Sequence, residues 1–275
     1  MRIKISEIYF SRIVYAIIRR IKAIPYKLSW EFSSEARANR RKIESLKDKY
    51  KGQRCVLVAN GPSLNEMDLE FLKHEVSFGL NRIYLAYDRL SFTNDYLVAI
   101  NDLVLEQFKE DIKNLPMDKF LNWSKKELFV EDEKSMFIYR RFFGSNFGVD
   151  LSRSINPAAT VTYAALQIIY YMGFSEVLII GMDHNFETKK KNRPNETEVR
   201  SEEVDKNHFD PNYFPKGSKW ETPDLVSSEY FYAIARNKFE SDNRRIYDCT
   251  VGGKCNVFEK RSIKEFVKGY FETVE

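Results

Sequence analysis

Arg54-Cys55-Val56-Leu57-Val58-Ala59 runs directly into Asn60-Gly61-Pro62-Ser63-Leu64. Six largely apolar residues followed by Asn-Gly-Pro read as a buried strand feeding a turn. Gly61 lets another backbone approach closely, and Pro62 fixes the turn. Ser63 is placed to cap a helix starting near Glu66. The amides at such a helix start attract phosphate. The loop lacks the GK[ST] of a Walker motif and is not GxGxxG. An ordinary strand-to-helix turn uses the same residues, so the loop alone does not establish a nucleotide site.

The pattern repeats outward from that strand. Glu75–Asn81 (EVSFGLN), Asp95–Asp102 (DYLVAIND), Lys119–Trp123 (KFLNW) and Glu176–Gly181 (EVLIIG) read as further strands, and Met136–Phe143 as another. Helices are expected over 104–114, over Thr160–Met172 with Gly173 ending it, and over Ser227–Ser241. Arg245–Thr250 (RIYDCT) reads as the final strand. Strands alternating with helices predict an α/β fold: a Rossmann-like, mostly parallel sheet with helices on both faces. In such sheets ligands bind beyond the carboxyl ends of the strands.

The strand ends therefore supply the candidate site. The first offers Asn60, Gly61, Pro62 and Ser63. The second ends in Asn81, and the third in Asn101-Asp102. The EVLIIG strand ends in Gly181-Met182-Asp183-His184. An asparagine amide can donate to a phosphate or ribose oxygen and accept from a base amine. Asparagine is also common where strands become loops.

Residues 185–222 are polar, long and without period, as expected of a lid over a site. His208 lies there in Asn207-His208-Phe209-Asp210-Pro211-Asn212-Tyr213-Phe214. A lid histidine can serve as general base; an exposed loop histidine is the plainer alternative. No carboxylate or His/Cys cluster has metal-ligand spacing, so no metal site is expected.

The remaining features bound the class. The chain has 275 residues, 43% apolar, with a net charge of +4, which suits one large domain and demands no nucleic-acid partner. Three cysteines without CxxC spacing exclude a disulfide framework and suit a reducing cytoplasm. No signal peptide is read. Residues 1–27 carry seven Lys/Arg against Glu7. Phe10, Ile13, Val14, Ile17, Ile18, Ile21 and Ile24 recur at helical spacing, and Pro25 closes the pattern. That basic amphipathic helix suits the inner face of an anionic membrane; packing on the main domain or in a homo-oligomer is the alternative. Residues 28–52 read as a helical spacer with a cap at Ser34, and 53–275 as the catalytic domain.

Six blocks occur in order: VANGPSL, FGLNRIYL, VAINDLVLEQF, TYAALQIIYYMGFSEVLIIGMDHNF, NHFDPNYF and IYDCTVGGKCNVFEK. Over about 53–262 they resemble the MptE-like proteins of bacterial surface-polysaccharide loci. Those are similar in turn to the small bacterial sialyltransferases of glycosyltransferase family 42, a variant of the GT-A fold. The resemblance implies a metal-independent, inverting transfer from a CMP-linked acidic sugar, a nonulosonic acid or Kdo, to a glycan or lipid-linked acceptor, with no other cofactor. It implies that Asn60, Gly61, Ser63, Asn81 and Asn101 face the CMP moiety. Thr160 falls near the donor, and Gly181 and Asp183 near the cytidine. His208 is the implied base, with Tyr213 and Tyr163 as candidate holders of the leaving phosphate. The chain departs from the family's His-x-x-x-His lid, having one lid histidine. The archaeal activity behind the family name, a Mg-ATP-dependent hydroxymethylpterin diphosphokinase using Asp102 and Asp183, is a second reading. A non-catalytic glycan-binding protein is a third.

Overall fold

The computed structural model describes residues 10–267, apart from 91, 131, 142–143, 145, 159, 187–197 and 202–203. The start of the basic segment, the end of the expected Met136–Phe143 strand and the middle of the expected lid lie outside the described residues.

Strand β1 (Arg54–Val58) is central because both of its faces are apolar. Cys55 and Leu57 enter one core, and Val56 and Val58 the other; all four are fully buried. Each such side chain contributes about 1.5–3 kcal/mol on burial. From β1 the chain steps outward through β2 (Ser77–Leu80), β3 (Tyr96–Ala99), β4 (Asp118–Asn122) and β5 (Ser135–Ile138). It then crosses back to place β6 (Glu176–Ile180) on the other side of β1, and continues to β9 (Arg245–Asp248) and β10 (Glu259–Lys260). The eight-stranded sheet has the order β10-β9-β6-β1-β2-β3-β4-β5, with every neighbour parallel. The strand order reverses between β1 and β6, which is where an open parallel sheet forms a ligand crevice. A separate antiparallel ribbon pairs β7 (Glu198–Arg200) with β8 (Lys219–Glu221).

Helices cover both faces. One core packs α2 (Ser34–Glu44), α6 (Val161–Tyr171) and α7 (Leu225–Ser241) on the sheet. The other packs α4 (Asp102–Gln107) and α5 (Lys109–Lys113), together with the single turn α3 (Tyr87–Leu90). The α/β expectation holds, with differences in detail. The helix expected over 104–114 breaks at Phe108, where the backbone leaves helical geometry (φ −124°). β10 follows the strand expected to be last; at two residues it is too short to leave a periodic signal.

The N-terminal third differs more. Helix α1 (Phe10–Phe32) runs through Pro25, which was expected to end it. Pro25 is exposed, so its ring meets solvent and not the sheet. The turns beyond it are fastened by Trp30, whose indole N–H donates to the Arg153 carbonyl at 2.9 Å and whose ring meets Trp123 edge-on at 5.1 Å. The stretch read as a spacer is packed into the domain. Ala36 and Ile43 are fully buried, and the Asn39 amide pairs with both backbone groups of Phe137, at 2.7 and 2.8 Å. The cap of α2 is Ser33, whose hydroxyl accepts from the Ala36 amide, and not Ser34.

Candidate functional site

A cleft of about 910 Å³ opens at the carboxyl ends of the strands, a size ordinary for a ligand site. It is lined by Asn60, Gly61, Asn81, Asn101, Thr160, Gly181, Asp183, His184, His208 and Tyr213. Residues far apart in the chain, from Arg20 to Tyr232, thus converge on the cleft at the reversal between β1 and β6. Pro62, Ser63 and Asp102 are not in its lining.

The NGPS loop is built differently from the expected phosphate cradle. The Gly61 amide donates to the Gly181 carbonyl at 2.7 Å. The Ser63 amide and hydroxyl donate to the two carboxylate oxygens of Asp183, at 3.2 and 2.7 Å. Pro62 opens a short 3-10 turn, Pro62–Glu66, and Ser63 caps no helix. The amides of Gly61 and Ser63 are spent within the protein. The loop clamps the end of β1 to the end of β6 and makes the floor of the cleft. A Cβ on Gly61 would lie 1.7 Å from Asp183 Oδ2, so the close approach Gly61 permits is to Asp183.

The three strand-end asparagines divide. Asn101 caps α4, its Oδ1 accepting from the amides of Leu103 and Val104 while its Nδ2 donates to Glu221 on the ribbon at 3.2 Å. Asp102 is held bidentately by Arg140 at 3.1 Å and also accepts from Asn122 at 2.5 Å, which ties β3 to β4. Asn60 and Asn81 are different: each has a buried amide oxygen with no partner among the described residues. A buried acceptor left unpaired costs about 1–3 kcal/mol, which a ligand donor recovers. Asn81 also sits at φ 47°. Ala158 (46°) and His184 (53°) share that left-handed conformation, and all three line the cleft. Each costs about 1–2 kcal/mol, and strain of this kind concentrates at functional sites.

The segment expected to be a lid is docked where it carries His208. The Phe209 amide donates to the Asn60 carbonyl at 3.0 Å, and Phe209 is 2% exposed. Tyr213 is 1% exposed; its hydroxyl accepts from the Arg82 amide at 3.4 Å, and burial holds that hydroxyl well above the ordinary tyrosine range. The Arg82 guanidinium donates to the carbonyls of Asn212 and Tyr213 and lies 3.6 Å over the Phe108 ring. Tyr213 therefore acts as a platform here. His208 stacks on its ring with centroids 3.9 Å apart and planes 6° from parallel. The opposite nitrogen of the imidazole is left for the cleft, because Nδ1 pairs with Asp205 Oδ2 at 2.8 Å. With Nδ1–H given to that carboxylate, Nε2 carries the basic lone pair.

Asp205 and Arg82 were not singled out from the sequence. The Asp-x-x-His spacing of Asp205 and His208 was its only local sign, and nothing in FGLNR marks Arg82 as the cation that holds residues 212–213. His184 Nε2 lies 3.1 Å from Glu229 Oε1 on α7. Thr160 caps α6 and shares a 3.2 Å hydrogen bond with Tyr232, whose hydroxyl burial pushes up to about 12, so it remains protonated. On the far wall Phe186, Phe214 and Trp220 form an aromatic surface beside His208. Among the described residues no group of three His, Cys, Asp or Glu side chains is arranged to hold a metal ion. The three cysteines are free and buried.

Comparison with known proteins gives the family and the fold. No curated protein matches the chain. Among solved structures, a glycosyltransferase named MAf from Magnetospirillum magneticum AMB-1 shares the fold, with a TM-score of 0.50 and 15% identity. The likeness covers 78% of this chain and 35% of that one, so the chain spans about a third of that neighbour's length. Residues 31–189, more than half of the chain, match the family described as 6-hydroxymethylpterin diphosphokinase MptE-like, beginning inside α1 and ending just past the Gly181–His184 corner. The protein belongs to the MptE-like family.

Proposed function

We propose that the protein is a glycosyltransferase that moves an acidic sugar from a CMP-linked donor to a glycan or lipid-linked acceptor, with inversion and without a metal. The observation that carries the reading is the Asp205–His208 pair, stacked on Tyr213 and facing the cleft beside two unpaired buried amide oxygens. A base held by a carboxylate is the equipment a hydroxyl nucleophile needs. The acceptor O–H gives its proton to His208 Nε2 as its oxygen bonds to the anomeric carbon. The bond from that carbon to the phosphate oxygen breaks, and CMP leaves.

Because the NGPS amides are engaged, the donor phosphate is assigned to the start of α6. That end carries the positive end of the helix dipole, with the hydroxyls of Thr160 and Thr162 beside it. Arg141 lines the same wall, and its Nε has no partner among the described residues. Asn60 and Asn81 accept from the nucleoside, and the Phe186–Trp220 surface suits the apolar face of a sugar ring. The fold shared with a glycosyltransferase supports the class; cytidine rests on the resemblance of the sequence blocks.

Calorimetry with CMP, UDP, GDP and ATP, with and without EDTA, tests this reading. Tightest binding of CMP, unchanged by EDTA, supports it, and tight binding of UDP or ATP alone sinks it. The family description favours one other reading, an ATP-dependent pterin diphosphokinase. Asp183, Glu221 and Asp224 are the cleft carboxylates such a reaction would draw on for Mg²⁺. Magnesium-dependent consumption of ATP with a hydroxymethylpterin would establish that alternative. If no donor is ever consumed while glycans bind, the protein is a glycan-binding module.

A further inference from the structure

Helix α1 is attached to the domain by one side and carries its apolar stripe on the other. On the attached side Ala23 and Trp30 are 8% and 1% exposed, and the Trp123 indole donates to the Tyr26 carbonyl at 3.2 Å. Ile18, Ile21, Ile24, Leu28 and Phe32 recur at intervals of three and four, which puts them on one line along a helix. They are 45%, 59%, 52%, 51% and 72% exposed. At about 100° per residue, that line lies roughly opposite the Ala23–Trp30 direction. Packing on its own domain is therefore not what the stripe does.

Two further observations choose its occupant. Over Phe10–Phe32 the helix has five Lys/Arg against one acidic residue, Glu31, and Lys22 and Lys27 are exposed beside the stripe. A second copy laid on the stripe would bring those cations together; an anionic surface pairs them. Arg20, exposed on the same helix, also lines the cleft. Among the described residues no helix is long and apolar enough to cross a membrane; an apolar stripe with a basic flank suits a helix that lies along a surface.

We infer that α1 seats the protein on an anionic lipid surface, with Ile18, Ile21, Ile24, Leu28 and Phe32 sunk among the headgroups and the Arg20 rim of the cleft beside them. The consequence for substrate, which rests on the glycosyltransferase reading, is that the acceptor is lipid-linked and enters from that rim. The test is flotation of the full chain with vesicles of phosphatidylcholine alone or mixed with phosphatidylglycerol, for the wild type and for Ile21→Glu/Ile24→Glu. The wild type is expected to bind the anionic vesicles at least about tenfold better than neutral ones and to release in high salt. The double variant is expected to lose that binding at an unchanged thermal midpoint, since both positions face solvent. Equal flotation of variant and wild type overturns the inference. So does a lipid-free dimer, seen by sedimentation, that the two substitutions dissociate while neither protein floats. Flotation needs no catalysis: a protein that floats as expected but consumes no donor disproves the enzymatic reading and leaves the lipid surface standing. With activity in hand, the double variant should keep transfer to a short soluble acceptor and lose transfer to a vesicle-borne one.

Discussion

His208 Nδ1 stands 2.8 Å from Asp205 Oδ2, three residues earlier, and the Asp205 side chain is only 6% exposed. A carboxylate this enclosed holds Nδ1 and fixes the orientation of the ring, leaving Nε2 to take the acceptor proton. Replacing His208 by Ala should cost about 10²–10⁴-fold in kcat, with donor affinity unchanged. Asp205→Asn should cost less, because the ring keeps its Tyr213 platform. Tyr213→Phe keeps the stack and should retain most of the rate, whereas Tyr213→Ala removes the stack and lowers stability by about 3–5 kcal/mol. Steady-state kinetics beside denaturant melts separate these cases.

The clamp across the sheet makes a different prediction. An Ala side chain at Gly61 would displace Asp183 and break the bonds from Ser63. Gly61→Ala should lose about 3 kcal/mol of stability by overpacking. Ser63→Ala should lose about 1–3 kcal/mol, because it leaves a charged acceptor short of a donor. The double variant should fall short of the sum, since both changes break the same contact. Urea midpoints of the three variants check this. Full additivity would mean that Gly61 and Ser63 act separately.

The fold was legible because β1 and β6 are apolar on both faces, a pattern only a covered parallel sheet explains. The place of the cleft was legible for the same reason, since parallel strands bring their carboxyl ends to one edge. Roles were less so. Asn60, Asn81 and Asn101 look alike in sequence, yet Asn101 caps a helix while the other two keep unpaired oxygens. Which fate an asparagine meets depends on whether an α-helix starts at the very next residue, as α4 does after Asn101, whereas Asn60 and Asn81 are followed two residues on by short 3-10 turns. Likewise Pro25 normally ends a helix, but here the Trp30 contacts outweigh the lost backbone bond. The polar, aperiodic composition of 185–222 suggests a lid, and what docks its His208 stretch is not visible there, because Arg82, the cation that anchors it, lies 130 residues from Asn212 in the chain.

Asn81 combines backbone strain with an unpaired oxygen, and the two can be parted. Asn81→Gly removes the amide and relieves the left-handed backbone at φ 47°. Stability should be unchanged or rise by up to about 1 kcal/mol. Donor affinity should fall about tenfold, the worth of one hydrogen bond to an otherwise unpaired buried group. Asn81→Ala should lose the same affinity and also pay the backbone cost. Calorimetric titration alongside thermal melts reads both quantities; a glycine variant that binds nucleotide like the wild type removes Asn81 from the site.

Asp224 gives the acid-limb prediction. It caps α7 at the rim of the cleft, accepting from the Ser227 hydroxyl at 2.6 Å and amide at 2.9 Å, and those bonds hold its carboxyl below the ordinary range. A lowered pKa in the folded state means that the unfolded chain takes up its proton first as the pH falls. The stabilisation is therefore complete above the ordinary aspartate value of about 3.9, and is lost as the pH drops through the lower folded value. Asp224→Ala should cost about 1 kcal/mol at neutral pH, the usual worth of a helix cap. The gap between wild type and variant should narrow below about pH 4, where the wild-type cap is itself being protonated. Melting curves of the two proteins from neutral to acid pH check it. A gap that stays constant through that range would mean that the cap acts through its shape and not its charge.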